Sequence, residues 1–284
     1  MPSCLCGEKN NMDQYTELYG VIGYPVRHSL SPAMHNAAFE SAGLNAVYLA
    51  FETRDLKGAL EGMKALDLKG LSVTIPHKTD IIPLLDEVDD LALKIGAVNT
   101  IVNRDGRLIG YNTDAQGALK ALETETSVTG QNCLIIGAGG AARAIGVILK
   151  EKGAKLTIAN RSLERGEALA RELNCPFSPL DKIEEHTAQI LVQTTSVGMY
   201  PNVDQSPVPD QALKSGMIVM DIIYNPRETK LLQAAREKGC TTINGTGMFV
   251  YQGVEQFRLW TDLEPPIEIM TQVVKNALKK KKNN

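Results

Sequence analysis

Residues 131–143 read Gln-Asn-Cys-Leu-Ile-Ile-Gly-Ala-Gly-Gly-Ala-Ala-Arg, and this stretch decides the fold class of the second half of the chain. A short apolar run ends in the pattern Gly137-x-Gly139-x-x-Ala142, and a helical pattern follows. The order predicts a β-strand, a tight turn and a helix N-terminus, where backbone N–H groups and the helix dipole favour a pyrophosphate. The glycine pattern alone is a weak signal, so an ordinary strand-to-helix turn remains the alternative.

A second predicted strand, residues 155–159, ends roughly 20 residues after Gly137, where a dinucleotide-binding fold meets the adenosine ribose. An acid there binds the 2′-hydroxyl of NAD, whereas an arginine accommodates the 2′-phosphate of NADP. The segment Asn160-Arg161-Ser162 contains no acid, and Arg161 offers a planar set of donors. Arg165 follows four residues later and can face the same way on the helix. The alternative is that Arg165 is an ordinary surface residue of that helix. These residues favour NADP.

Composition limits the class of protein. The 284 residues carry 30 Lys and Arg against 33 Asp and Glu, and 43% are hydrophobic. This length suggests about two domains, and a net charge of −3 argues against nucleic acid as the main partner. With no apolar run of ~18 residues and no apolar leader, we expect no membrane span, no signal peptide and a cytoplasmic location. Cys4-x-Cys6 lacks a second pair, and no carboxylate or Cys joins His28 and His35 at the spacing of metal ligands, so no metal site is expected.

The first half of the chain alternates strand and helix patterns. Strands are predicted over residues 17–23, 46–52 and 70–75, with helices over 31–42 and 56–66 between them. This alternation predicts a mainly parallel sheet, extended by a β-hairpin over residues 100–111, so the fold class is α/β. The charge run at residues 86–90 is interpreted as an exposed helix face.

Polar side chains follow the first and third strands at the carboxyl edge of the sheet, where ligands bind in open α/β folds. Ser29 and Ser31 precede Pro32 at a helix N-terminus, and two hydroxyls beside a helix dipole suit a carboxylate. Alternatively, Ser31 only caps the helix and Ser29 is solvated. Thr74 and Lys78 reach the same edge, with a solvated lysine as the ordinary alternative.

Two further residues extend this set. Asn99 begins the hairpin and can donate or accept a hydrogen bond at the same edge. Asp114 lies in the first turn of a helix, where an aspartate is also commonplace because it complements the helix dipole. We place the boundary between the two domains close to Asp114.

Seven motifs in one order, from residue 23 to about residue 256, resemble the shikimate dehydrogenase family. They are Gly-x-Pro-x-x-His-Ser-x-Ser-Pro-x-x-His-Asn (23–36), Val-Thr-x-Pro-x-Lys (73–78), Gly-Ala-Val-Asn-Thr (96–100), Gly-x-Asn-Thr-Asp (110–114), Gly-Ala-Gly-Gly-Ala (137–141), Asn-Arg-Ser (160–162) and Asn-Gly-Thr-Gly-Met (244–248). The resemblance implies reversible reduction of 3-dehydroshikimate to shikimate with NADPH, a step toward chorismate and the aromatic amino acids.

The domain organisation expected from these patterns and this resemblance has three parts. Residues 1–15 form an N-terminal extension, residues 16–113 form a substrate-binding domain, and residues 114–252 form a Rossmann-type NADP-binding domain. The C-terminal helices, residues 253–280, are expected to pack back on the first domain and complete it. The protein is expected to be a monomer or a homodimer, with a small-molecule substrate and neither nucleic acid nor membrane as a partner.

The resemblance also implies residue roles. Lys78 and Asp114 match the catalytic positions. The positions matching substrate contacts are Ser29, Ser31, Thr74, Asn99, Asp114, Tyr224 and Gln252. The positions matching cofactor contacts are Asp90, Gly137, Ala138, Gly139, Gly140, Ala141, Asn160, Arg161, Ser162, Arg165, Ile222 and Gly245. The family often has Thr where Ser162 stands, and Ser162 keeps the hydroxyl.

Two rival functions are left open by the sequence. An NAD-dependent quinate/shikimate dehydrogenase is expected to carry an acid at the end of the second Rossmann strand, which residues 160–162 do not supply. A non-catalytic NADP-binding regulator on the same fold is expected to have lost Lys78 or Asp114, and both are present.

Overall fold

The computed structural model describes residues 12–281, and within them the strands form two six-stranded sheets. Most of the predicted extension, the Cys4-x-Cys6 pair and residues 282–284 lie outside the described residues. No helix within the described part of the chain is long and apolar enough to cross a membrane. The same residues contain no cluster of three or more His, Cys, Asp or Glu side chains able to hold a metal ion.

The first sheet is built from the first half of the chain. Its strands are β1 (Glu17–Gly23), β2 (Ala46–Glu52), β3 (Gly70–Val73), β4 (Glu87–Val88), β5 (Thr100–Arg104) and β6 (Arg107–Tyr111), and its helices are α1 (Ser31–Ser41), α2 (Leu56–Ala65) and α3 (Asp90–Ile95). The strand order is β2-β1-β3-β5-β6-β4. Strand β1 pairs in parallel with β2 and β3, and β4 with β6, while the hairpin pairings are antiparallel. The predicted mainly parallel sheet with an added hairpin is confirmed.

The second sheet is parallel throughout. Its elements are α4 (Thr113–Glu123), β7 (Asn132–Ile136), α5 (Gly140–Glu151), β8 (Lys155–Asn160), α6 (Leu163–Glu172), β9 (Phe177–Pro179), β10 (Ile190–Gln193), β11 (Ile218–Asp221), α7 (Lys230–Glu237) and β12 (Thr241–Asn244). The order β9-β8-β7-β10-β11-β12 is that of the Rossmann fold. The order reverses between β7 and β10, so the crevice for a dinucleotide opens above these two strands.

The last two helices, α8 (Gly245–Thr261) and α9 (Ile267–Lys281), lead back to the first sheet. Near its start α8 packs so closely on α4 that a Cβ on Gly117 would lie 2.7 Å from the backbone nitrogen of Gln252. Further along, Val254 and Phe257 join the buried cluster that contains Met34 and Phe39 of α1. Helix α8 therefore starts beside the second sheet and ends in the core of the first. The domain limits given above stay predictions.

The charge run at residues 86–90 departs from its prediction as an exposed helix face. Glu87 and Val88 form β4 beside β6, and Asp89 accepts hydrogen bonds from the N–H groups of Leu91 and Ala92 at the start of α3. The prediction was wrong because carboxylates cap helices as readily as they line an exposed helix face. The periodicity of five residues does not separate these cases.

Candidate active site

The turn after β7 has the backbone shape that the glycine pattern predicts. Gly137 has a φ of +119°, an angle that residues other than glycine rarely adopt. Its N–H donates to the Ala159 carbonyl at 2.8 Å, and the Thr194 hydroxyl donates to the Ile136 carbonyl at 2.6 Å. A Cβ on Gly137 would lie 2.5 Å from Thr194 Oγ1. Position 137 therefore requires glycine for the fold itself.

The next two glycines are different, because the fold itself leaves room for a side chain. Gly139 is the N-cap of α5, has φ of −97° and offers no side-chain cap to the helix. A Cβ on Gly139 or Gly140 would meet no atom within 4 Å. The start of α5 thus has no side-chain cap and has open space beside its first residues, which at the positive end of the helix fits the pyrophosphate of a dinucleotide.

The end of β8 presents the side chains predicted to bind the adenosine ribose. Asn160 donates from its amide to the Ser162 carbonyl at 2.9 Å, and the Ser162 hydroxyl caps α6. Arg161 and Arg165 are both exposed. Among the ion pairs of residues 12–281, neither guanidinium has a carboxylate partner. Two unpaired cations at this place fit a 2′-phosphate.

A cavity of about 350 Å³ opens where the two sheets meet. Its lining includes every residue predicted to be catalytic or to contact the substrate, and two predicted cofactor residues: Ser29, Ser31, Thr74, Lys78, Asn99, Asp114, Tyr224, Gln252, Ile222 and Gly245. These residues come from both halves of the chain, so the fold brings the predicted set together. Their individual roles stay predictions. The cavity is called the crevice below.

Lys78 and Asp114 form the ion pair of the crevice. The carbonyl of Lys78 accepts from the Val98 N–H at 2.8 Å, which anchors the loop after β3. Lys78 Nζ lies 2.5 Å from Asp114 Oδ2, with 31% and 20% of the two side chains exposed. Asn112, not Asp114, caps α4, through Ala115 N–H at 3.2 Å. The Asp114 carboxylate is therefore available to the lysine, and Lys78 is not an ordinary solvated lysine.

Ser31 does not cap α1, which removes the structural alternative for its hydroxyl. The helix begins at Ser31 itself, its N-cap position is Leu30, and no side chain caps it there. Ser29 Oγ accepts from the Ser31 N–H at 3.2 Å instead. Ser31 is buried and its hydroxyl lies beside that of Tyr48. Two hydroxyls at a helix N-terminus that is otherwise uncapped fit a carboxylate.

The other polar residues of the crevice are held by the backbone around them. Asn99 Oδ1 accepts from the Thr113 N–H at 2.7 Å, which ties the hairpin to the start of α4. The Gln252 amide donates to the Phe249 carbonyl at 2.9 Å, and the Tyr224 ring packs on that of Phe249 with centroids 5.3 Å apart. Burial raises the pKa of Tyr224, so its hydroxyl stays protonated and can donate.

Sequence reasoning missed several polar residues of the crevice, among them Ser72 and Gln256. Gln256 is the one with the most hydrogen bonds to its surroundings. It is 1% exposed and lines the crevice from α8. A signal was present, because Gln256 follows Gln252 by four residues and both therefore lie on one face of the helix.

Models of known protein families match most of the length of the chain. Three family models match: the shikimate dehydrogenase substrate binding domain at residues 21–101, the shikimate / quinate 5-dehydrogenase at 118–238, and the shikimate 5′-dehydrogenase C-terminal domain at 245–275. A shikimate dehydrogenase (NADP(+)) of Pyrococcus furiosus is 47% identical over 270 residues, covering 94% of this chain and 98% of that protein. The chain belongs to the shikimate dehydrogenase family.

Solved structures agree with this family assignment. A shikimate dehydrogenase crystallised with NADP⁺ superposes with a TM-score of 0.91 at 46% identity, covering 94% of this chain and 98% of the other. The enzyme of Thermus thermophilus in complex with NADP(H) and shikimate gives a TM-score of 0.87 at 38% identity, with coverages of 92% and 99%. The family resemblance and the two-domain α/β fold class expected from the sequence are confirmed.

Asp90 is a predicted cofactor residue that lies outside the crevice. It is the exposed first residue of α3 and does not line the crevice. The predicted cofactor residues of the turn after β7 and of the end of β8 lie outside the crevice as well, so a cofactor contact by Asp90 stays a prediction.

Asp221 ends β11 and holds the loop that carries Ile222 and Tyr224 into the crevice. Its Oδ2 accepts from the Thr229 hydroxyl at 2.7 Å, and its Oδ1 accepts from the Ile223 N–H at 3.0 Å. Burial raises the pKa of Asp221 to about 6, although the two hydrogen bonds act in the opposite direction. The loop is thus fixed by a carboxyl that is costly to ionise.

We expect Asp221 to make the stability of the protein depend on pH. A carboxyl whose folded-state pKa of about 6 exceeds its ordinary 3.8 contributes most below pH 3.8 and loses that contribution as the pH rises through about 6. Relative to Asp221→Asn, the wild-type free energy of unfolding should fall by up to about 3 kcal/mol across this window. Urea unfolding at a series of pH values checks this, with the exposed Asp204→Asn as control. Parallel pH profiles of wild type and Asp221→Asn would contradict it.

Proposed function

We propose that this protein catalyses the reversible NADP-dependent interconversion of 3-dehydroshikimate and shikimate, on the route to chorismate and the aromatic amino acids. One observation carries the proposal: the Lys78–Asp114 ion pair lies in a crevice that also contains the carboxylate-binding candidates Ser29 and Ser31. The names and bound ligands of the relatives support the same reaction and the same cofactor. A cytoplasmic location and a monomeric or homodimeric state stay predictions.

The residues of the chain have distinct tasks in this reaction. The dinucleotide, when bound, supplies or accepts the hydride. Reduction of a ring ketone builds negative charge on its oxygen, and the Lys78 ammonium meets that charge and donates the proton to the same oxygen. Asp114, at 2.5 Å from Lys78 Nζ, orients the ammonium and can accept from a substrate hydroxyl. Ser29 and Ser31 orient the ring through its carboxylate.

The cofactor is proposed to lie along the carboxyl edge of the second sheet. The N–H groups at the start of α5 would hold the pyrophosphate, and Arg161 with Arg165 would hold the 2′-phosphate. Ile222 and Gly245, which line the crevice, would then face the nicotinamide end. Lys78 lines the same crevice as Ile222 and Gly245, so a cofactor held in this way would have its nicotinamide end on the side of Lys78.

Turnover of the purified protein tests the proposal directly. We expect shikimate with NADP⁺ to produce reduced cofactor, detected by its absorbance, and 3-dehydroshikimate with NADPH to consume it. Quinate with NAD⁺ is the comparison that addresses the rival function. Absence of turnover with shikimate and either dinucleotide, in a protein that is folded and binds NADP⁺, would overturn the proposal and favour a regulator.

The two glycines of the turn after β7 should respond differently to substitution by alanine. Gly137→Ala forces a side chain into φ of +119° against Thr194, so we expect the free energy of unfolding to fall by roughly 1–3 kcal/mol or more. Gly139→Ala meets no protein atom within 4 Å and should leave stability unchanged to within about 0.5 kcal/mol.

NADP⁺ binding should nevertheless weaken in Gly139→Ala, because the added methyl group points into the space assigned to the pyrophosphate. Urea unfolding and NADP⁺ titration of both variants separate the two effects. A Gly139→Ala protein that is stable and binds NADP⁺ as the wild type does would contradict the proposed cofactor position.

A further inference from the structure

A hydrogen-bond network of buried polar side chains lies behind the crevice, and Gln256 is its centre. Gln256 Oε1 accepts from the Ser72 hydroxyl at 3.0 Å and lies 3.2 Å from His35 Nε2. Gln256 Nε2 donates to Thr100 Oγ1 at 3.0 Å and to the Asn99 carbonyl at 3.4 Å. A primary amide has two donor protons and two acceptor lone pairs, so the four contacts use its full capacity.

The direction of the hydrogen bonds in this network follows from the single proton of each hydroxyl. The Tyr48 hydroxyl donates to Ser72 at 2.6 Å, so the Ser72 hydroxyl is free to donate to Gln256. On the other side Gln256 donates to Thr100, and the Thr100 hydroxyl then donates to Asn99 Oδ1 at 2.8 Å. The hydrogen bonds therefore all run in one direction, with each group donating to the next from Tyr48 through Gln256 to Asn99.

The orientation of the Asn99 amide is the consequence. Asn99 Oδ1 accepts from both the Thr100 hydroxyl and the Thr113 N–H, so the oxygen faces the protein. Asn99 Nδ2 gives one proton to Thr113 Oγ1 at 3.0 Å. Asn99 is one of the residues that line the crevice, and after the bond to Thr113 its amide keeps one further N–H proton.

Burial keeps the imidazole of His35, which lies beside Gln256 in this network, uncharged. His35 is fully buried, stacks on Tyr48 with ring centroids 4.7 Å apart, and its pKa is lowered by burial to about 4. A neutral imidazole can donate from Nε2 to Gln256 Oε1, which agrees with the direction given above.

We propose that Gln256 is a positioning residue that sets the Asn99 amide so that Asn99 presents an N–H donor to an oxygen of the substrate. This inference rests on the proposed function, because it assigns a substrate hydroxyl or keto oxygen as the acceptor. Gln256 acts through Asn99 and does not itself take part in proton transfer. At its other end the network reaches the Tyr48 hydroxyl beside Ser31. One network therefore supports both the residue proposed to bind the substrate hydroxyl or keto oxygen and the residue proposed to bind the substrate carboxylate.

Gln256→Met is the first test, because methionine keeps the length of the side chain and removes its hydrogen bonds. We expect KM for shikimate to rise about ten-fold, with KM for NADP⁺ changed less than about two-fold. Gln272→Met is the matched control, since Gln272 is exposed on α9 and should leave both constants unchanged. A Gln256→Met protein with lowered stability but an unchanged KM for shikimate would overturn the proposal and leave a purely structural role.

A double variant tests the route through Asn99. Asn99→Ala removes the proposed donor and should itself raise KM for shikimate. Adding Gln256→Met to Asn99→Ala should change KM further by less than about two-fold, because the group that Gln256 positions is already absent. Multiplication of the two single effects would overturn the proposed coupling.

Gln256→Glu keeps the acceptor oxygen Oε1 and replaces the Nε2 donor to Thr100 by a second acceptor oxygen, and it serves if Gln256→Met does not fold. The Thr100 hydroxyl would then donate to the new carboxylate, and Asn99 Oδ1 would keep only its contacts with Thr113. Because the Asn99 amide is then held less firmly, we again expect about a ten-fold rise in KM for shikimate. An unchanged KM in this variant would overturn the proposal. Wild-type protein without shikimate turnover would instead refute the proposed function, which distinguishes the two failures.

Discussion

Replacing Lys78 by alanine is expected to lower kcat for shikimate oxidation roughly 10²–10⁴-fold, the usual contribution of a positioned acid or base. In the oxidation direction the lysine must take the proton from the reacting hydroxyl, and in reduction it must return it. Its Nζ is held 2.5 Å from Asp114 Oδ2 and its backbone is anchored by Val98, so the group is positioned before substrate arrives. The proton-transfer effect should appear in kcat more than in KM for NADP⁺, because the lysine lies in the crevice and away from the start of α5.

The matched control is Lys57→Ala, since the Lys57 side chain is 79% exposed on α2. Initial rates with saturating NADP⁺ and thermal unfolding of both variants are the measurements. Asp114→Asn should also lower kcat, and the two losses should combine to less than their product because the residues act as a unit. A Lys78→Ala enzyme with wild-type kcat would remove Lys78 from the proton transfer and with it the proposed mechanism.

The second sheet was predictable from sequence because its signals are local. The turn after β7 needs φ of +119° at Gly137, and the strand, the turn and the helix that follow lie within about twenty residues of chain. The exposed Arg161 at the end of β8 is likewise identified by its distance from that turn. Short-range patterns of this kind specify the order of strand, turn and helix, so the Rossmann-type sheet could be predicted.

The network behind the crevice was not predictable for the opposite reason. Gln256 and the Asn99 carbonyl are 157 residues apart in the chain, and only the return of α8 to the first sheet brings them together. Ser31 shows a related limit, because Ser-Pro is typical of a helix start whether or not the hydroxyl caps it. Side-chain orientation in both cases depends on packing between distant elements, which periodicity does not encode.

Arg161→Ala is expected to raise KM for NADP⁺ about 10–100-fold, the loss typical of hydrogen bonds between a guanidinium and a charged acceptor. The guanidinium is exposed at the end of β8 and has no carboxylate partner among the ion pairs of residues 12–281, so its donors are available to the 2′-phosphate. KM for NAD⁺, which lacks that phosphate, should change little. The ratio of kcat/KM for NADP⁺ to that for NAD⁺ should therefore fall by a similar factor.

The matched control is Arg171→Ala, because Arg171 is an exposed residue in the last turn of α6, the helix that carries Arg165 in its first turn. Removing that charge should leave the cofactor ratio unchanged, which separates a specific contact from a general loss of positive potential. Arg165→Ala should show the same selectivity as Arg161→Ala if both side chains reach the phosphate. Equal loss of NADP⁺ and NAD⁺ binding in Arg161→Ala would contradict the assignment, since a residue that only supports the end of β8 would affect both dinucleotides alike.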